Sequence, residues 1–96
     1  FVRIVKMRFH EDKVEAFLAN FHEVKHLIRG FEGNQFLELY RDKEDLGVFY
    51  IQLLDNEESL EKYRHSELFK EVWLFTKALF SAKPEAWSID KLVTLE

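Results

Sequence analysis

Not one of the 96 residues is cysteine, so disulfide scaffolds, thiol catalysis and cysteine-bound zinc are all excluded. Proline occurs once and glycine three times, which leaves almost nothing for flexible or low-complexity linkers. No apolar run approaches the roughly 18 residues that a membrane-spanning helix requires. Excess positive charge is missing too: 14 Lys and Arg stand against 18 Asp and Glu, for a net charge of −4. That balance argues against nucleic acid as a partner, because non-specific binding needs a basic footprint. Arg3, Lys6 and Arg8 interrupt the first apolar stretch, unlike the unbroken apolar core of a signal peptide. The expectation is a chain with neither a nucleic-acid nor a membrane partner, and the cytoplasm as its default location.

What the chain does hold is a core. Hydrophobic residues make up 47% and aromatic residues 16%, with ten Phe among them. A chain of this length supports one small domain, expected over residues 1–96, that buries roughly two-thirds of its unfolded surface.

The first nine residues alternate imperfectly, with Phe1, Val5, Met7 and Phe9 on one side of a strand and Val2 and Ile4 on the other. From Asp12 to Ile28 the period becomes helical: Val14, Phe17, Leu18, Phe21, Val24 and Ile28 form one apolar stripe. Gly30 suits the position just past a helix end, and Gly33 the turn that follows. Gln35 to Tyr40 and Gly47 to Leu54 read as a hairpin joined by the charged loop Arg41-Asp42-Lys43-Glu44-Asp45. The second of these strands carries apolar residues on both faces, the pattern of a central strand covered on both sides. Asp55 is the expected cap of a short helix containing Leu60 and Tyr63. Ser66 then opens a longer helix to about Ala82, with Phe69, Val72, Trp73, Thr76 and Phe80 as its stripe and Pro84 as its terminator. A last strand alternates from Trp87 to Leu95.

Strand, helix, strand, strand, helix, strand predicts an α+β fold. It is the ferredoxin-like βαββαβ plait, a four-stranded antiparallel sheet with two helices on one face. The opposite sheet face then lies open. An apolar patch there predicts a second copy of the chain as partner, a homodimer through the open face.

His22-Glu23-Val24-Lys25-His26 matches the H-E-x-x-H pattern of zinc hydrolases. At 100° per residue, however, His22 lies roughly 110° and His26 about 150° from the centre of the apolar stripe, on the wet face. No metal site is expected. The junction Tyr63-Arg64-His65-Ser66 reads first as a capped helix break with His65 in solvent. It is also the place where Tyr63 or His65 can turn inward. No Ser-His-Asp set, phosphate loop or pair of buried carboxylates is recognisable. The aromatic surplus suits either a filled core or a cavity for a flat apolar ligand.

Ser59-Leu60-Glu61-Lys62-Tyr63-Arg64-His65-Ser66-Glu67-Leu68-Phe69, together with Asp12-Lys13-Val14-Glu15-Ala16-Phe17 after a first strand, resembles the antibiotic-biosynthesis monooxygenase family of the dimeric α/β-barrel superfamily. The resemblance runs over nearly the whole chain in length and element order. It implies a ferredoxin-like homodimer with a pocket between sheet and helices. Its members include cofactor-independent oxygenases of polycyclic phenols, quinol oxygenases and haem-degrading enzymes. In the haem-degrading branch the resemblance calls for an Asn where Val5 stands, a Trp where Tyr63 stands and a ligating His where Trp73 stands. All three depart, and an indole has no lone pair to offer iron. The quinol-oxygenase branch often has a His where Tyr63 stands.

The implied activity is cofactor-independent monooxygenation of a phenol or hydroquinone, with no cofactor or metal. His65 or Tyr63 is the expected base or proton relay, and Trp73, Trp87, Phe69 and Val5 are the expected pocket walls. The alternative is a non-catalytic dimer that binds a small hydrophobic ligand or none.

Overall fold

The computed structural model describes residues 1–54 and 56–95. Its elements follow the predicted order: β1 (Val2–Arg8), α1 (Val14–Arg29), β2 (Phe36–Arg41), β3 (Val48–Leu54), α2 (Glu57–Arg64), α3 (Glu67–Lys77) and β4 (Glu85–Ile89). A short 3-10 turn, Glu11–Lys13, precedes α1. The strands form one antiparallel sheet in the order β2-β3-β1-β4. The fold is the ferredoxin-like plait, with its second helix broken into α2 and α3. Among the described residues no helix is long and apolar enough to cross a membrane.

Packing follows the strand period. Val5, Met7 and Phe9 on β1 and its continuation, with Phe49 and Ile51 on β3 and Leu37 and Leu39 on β2, face the helices. Against them α1 lays Val14, Phe17, Phe21 and Ile28, all buried. The result is a dense aromatic core. Phe9 stacks on Phe17 at 4.2 Å between centroids, and Phe49 meets both rings edge-on at 5.7 and 5.2 Å. Phe49 and Met7 are only 1% and 2% exposed. Gly33 turns the chain into β2 with φ 91°, a backbone that L side chains rarely adopt. Gly30, by contrast, ends α1 in right-handed geometry, its N–H donating to the His26 carbonyl at 2.9 Å.

Two expectations need correction. The long helix ends at Lys77 rather than about Ala82, and Pro84 does not terminate it. The cause is competition from the sheet: Phe80 bridges Phe9, and the Ser81 N–H donates to the Arg8 carbonyl at 2.9 Å. That pairing pulls the chain out of the helix. The last strand stops at Ile89, not Leu95; Ile89 stands opposite Val2, the first residue of β1. Leu92, Val93 and Leu95 are consequently exposed. The cap expected at Asp55 lies outside the described residues; the Asn56 side chain accepts the Ser59 N–H at 2.8 Å.

The open sheet face is less uniformly apolar than the sequence suggested. Register lays three rows across it. Phe36, Leu54, Val2 and Ile89 form an apolar row; Glu38, Gln52, Ile4 and Trp87 a mixed one; Tyr40, Tyr50, Lys6 and Glu85 a polar one. Apolar character is thus concentrated toward the end of the sheet where β4 finishes.

Candidate functional site

The helical layer breaks between α2 and α3, and local chemistry holds the break. The Ser66 hydroxyl accepts the Phe69 N–H at 3.1 Å, capping α3, and donates to the Tyr63 carbonyl at 2.6 Å. One side chain therefore ends one helix and starts the next. With the two helices locked this way, Tyr63 from α2 and Phe69 and Trp73 from α3 come together over the sheet.

Their rings form a continuous series. Phe31 meets Tyr63 edge-on at 5.3 Å, Tyr63 meets Phe69 edge-on at 5.2 Å, and Phe69 stacks on Trp73 at 5.9 Å with 9° between planes. Trp73 meets Phe80 at 5.6 Å, and Phe80 meets Phe9 at 5.3 Å, joining this series to the core. Edge-to-face and offset contacts of this kind are worth about 0.5–1.5 kcal/mol each beyond burial.

Beneath these rings is a cavity of about 490 Å³. Tyr63, Phe69, Trp73 and Leu60 wall it on the helix side, and Val5, Leu53 and Ala86 on the sheet side. Arg3 and Arg64 stand at one end. A smaller void of about 100 Å³ lies beside it under α1, sharing Val5, Leu53, Tyr63, Phe69 and Trp73. The larger volume is that of an ordinary small-molecule site, mostly apolar with a few polar groups.

The predicted site residues divide. Val5, Tyr63, Phe69 and Trp73 all line the cavity. His65 reaches only its rim: its side chain is 76% exposed, and Nε2 lies 3.3 Å from Glu61 Oε1. Trp87 does not line it. It pairs with Ile4, whose side chain points away from the helices, so the alternation of β4 sets Trp87 on the open face and gives the cavity Ala86 instead.

Burial pushes the Tyr63 phenol up to about 12. At neutral pH Tyr63 is therefore a hydrogen-bond donor, and it has no proton acceptance to offer as a phenolate. No hydrogen bond among the described residues engages its hydroxyl, and no described buried side-chain oxygen lacks a partner, so that hydroxyl remains accessible.

Arg3 also lines the cavity. It shares the parity of Val5 and Met7, so an arginine at a helix-facing position of the first strand was the available signal. Its Nη1 donates to the Ser88 hydroxyl at 2.9 Å.

His22 and His26 are not brought into the site. His22 is exposed, with Nδ1 3.1 Å from Lys25 Nζ, and neither imidazole lines the cavity. Among the described residues no cluster of three or more His, Asp or Glu side chains is placed to hold a metal ion.

The sequence model of the antibiotic biosynthesis monooxygenase family matches residues 1–72. No curated protein matches the sequence. Among solved structures, an antibiotic biosynthesis monooxygenase superposes with TM-score 0.87 at 14% identity, covering 97% of this chain and 100% of the other. Rv0793 from Mycobacterium tuberculosis gives 0.86 at 14%, covering 99% and 97%. A conserved protein from Methanosarcina mazei Go1 gives 0.82 at 21%, covering 88% and 86%. At such identities the likeness is one of fold.

Proposed function

Because the chain belongs to the antibiotic biosynthesis monooxygenase family, we propose that it oxidises a phenol or hydroquinone with O₂, without a cofactor, in the cavity under Tyr63 and Trp73. The observation that carries this reading is the cavity of about 490 Å³ walled by three aromatic rings, with a titratable imidazole at its rim. A phenolate held among aromatic walls passes one electron to O₂, giving a phenoxyl radical and superoxide. Their recombination on ring carbon and the loss of water leave a quinone carbonyl; one O₂ is consumed, with one oxygen atom kept by the product and one released as water. The protein supplies three things: a base, a donor to the developing anion, and exclusion of water. His65 takes the phenol proton, and neighbouring Glu61 steadies the imidazolium that results. Tyr63, still protonated, donates to the oxyanion. Phe69 and Trp73 hold the ring flat.

A second copy covering the open face completes the reading. Trp87 and Ile89, 45% and 47% exposed beside Val2, Ile4 and Leu54, supply the apolar part of that contact. The absence of cysteine frees the fold from any oxidising compartment and suits a cytoplasmic setting.

Oxygen uptake with a panel of phenols and hydroquinones tests the activity. Uptake should appear with at least one substrate, fall on the order of 100-fold in His65→Ala and less in Tyr63→Phe. The exposure of His65 favours one alternative, a non-catalytic homodimer that binds a small hydrophobic ligand. Ligand binding with no oxygen uptake from any substrate would establish that alternative.

A further inference from the structure

The end of the cavity farthest from Trp73 is chemically unlike the rest. Arg3 on β1 and Arg64 at the end of α2 both line it. Arg3 is half-buried and lies within 4.0 Å of no carboxylate among the described residues; its hydrogen-bond partner is the neutral Ser88 hydroxyl. Glu57 and Asp90 border Arg3 and Arg64 as well, with no ion pair to Arg3, and the other acidic groups nearby are engaged elsewhere. Glu61 Oε2 is 3.7 Å from Arg64 and its Oε1 is 3.3 Å from His65, while Glu85 stands in register with Lys6 at 4.0 Å. Burial first, and then the Arg64 charge, act against the Arg3 guanidinium and lower its pKa from the ordinary arginine value. A half-buried cation facing a second cation, with only a hydroxyl as partner, is an arrangement that an incoming anion stabilises.

Spacing says what kind of anion. Arg3 and Val5 lie on the same face of β1, two residues or roughly 7 Å apart. A ring resting on Val5 beneath Trp73 thus presents a substituent on its edge to Arg3. The guanidinium is a planar fork that matches a carboxylate oxygen for oxygen.

We propose that the cavity takes an aromatic ring bearing a carboxylate beside its phenol, and that Arg3, assisted by Arg64, selects it. This inference rests on the reading of the cavity as a phenol site, and it assigns Arg3 and Arg64 to binding rather than to the oxidation step.

The test is titration calorimetry at low salt with 1-hydroxy-2-naphthoate and its neutral isostere 1-hydroxy-2-naphthamide. The acid should bind about tenfold more tightly than the amide to the unaltered chain, the size expected of a charge-assisted pair. In Arg3→Gln that preference should fall to about twofold or less, with the affinity for the amide nearly unchanged. If Arg3→Gln loses its fold by circular dichroism, Arg64→Gln takes its place, and the preference should drop about threefold or more. Equal binding of acid and amide, or a preference untouched by the folded variant, overturns the inference. Oxygen uptake measured on the same samples separates it from the proposed activity. Acid preference without uptake with any phenol upholds the selectivity and overturns the oxygenase. Uptake with equal binding of acid and amide does the reverse, and failure of both compounds to bind at about 1 mM overturns both.

Discussion

At one end of the helix-facing sheet surface Phe9, Phe17 and Phe49 leave no space between them; at the other, Tyr63, Phe69 and Trp73 stand around a cavity of about 490 Å³. The same strands and the same kind of side chain serve both ends. What changes is the floor. β1 reads Met7 and Phe9 under the filled end but Arg3 and Val5 under the hollow one, and β3 goes from Phe49 to Leu53. β4 adds only Ala86 and Ser88 on that side. Aromatic residues fill a core where other aromatic rings oppose them, and they line a cavity where Val5, Leu53 and Ala86 do. The two halves of the aromatic series therefore differ in what they do, one filling the core and the other framing a cavity.

The largest test of this contrast is Phe49→Ala. Phe49 is 1% exposed and meets Phe9 and Phe17 edge-on, so truncation should cost about 3–5 kcal/mol in chemical denaturation. A loss below about 1.5 kcal/mol would mean that the filled end is not the structural half.

Alkali probes the hollow end. An unfolded tyrosine loses its proton near 10, at about its ordinary value, whereas folded Tyr63 holds it to about 12. Between those values the native chain carries one proton more than the unfolded chain. Its stability should therefore be fully present below about pH 10 and decline as pH rises through 12, by about 2–3 kcal/mol from this group. Denaturant titrations of the unaltered chain and of Tyr63→Phe across that range isolate the effect, since the variant should decline less steeply. Parallel slopes would show that Tyr63 is not shielded from water.

The finest test pairs two additions of the same size. Val14→Phe inserts a ring into the filled end and should cost about 1–3 kcal/mol through overpacking. Val5→Phe pushes the same ring into the cavity and should cost less than about 1 kcal/mol while abolishing binding of aromatic ligands there. Equal costs for the two would mean that the cavity is closed in solution.

Much of this contrast is legible in the amino-acid sequence. The α1 stripe places Val14, Phe17, Phe21 and Ile28 in the core because a 3.6-residue period is a local property of the chain. Ser66 is legible as a cap for a similar reason, since a hydroxyl reaching the Phe69 N–H involves only three residues of chain. Tyr63 and Trp73 can be nominated from the family resemblance, but the rotation of one helix against the other stays open in sequence alone. Trp87 cannot be placed from sequence, because alternation names two faces of β4 without saying which one meets the helices. Arg3 is not legible in the sequence because its surroundings depend on Ser88 and Arg64, 85 and 61 residues away.

Composition, periodicity and element order by themselves determined the plait, its aromatic core and the helix junction, since each arises from contacts between near neighbours or from the period of a single element. Tertiary structure alone decided where the long helix stops, because Phe80 leaves it to bridge Phe9. It alone ended β4 at Ile89, opposite Val2 at the start of β1. It alone made one half of the aromatic series solid and the other hollow. A cavity is a difference between the volume that opposing rows enclose and the volume their side chains fill, and those rows meet only when distant strands and helices have been brought into register.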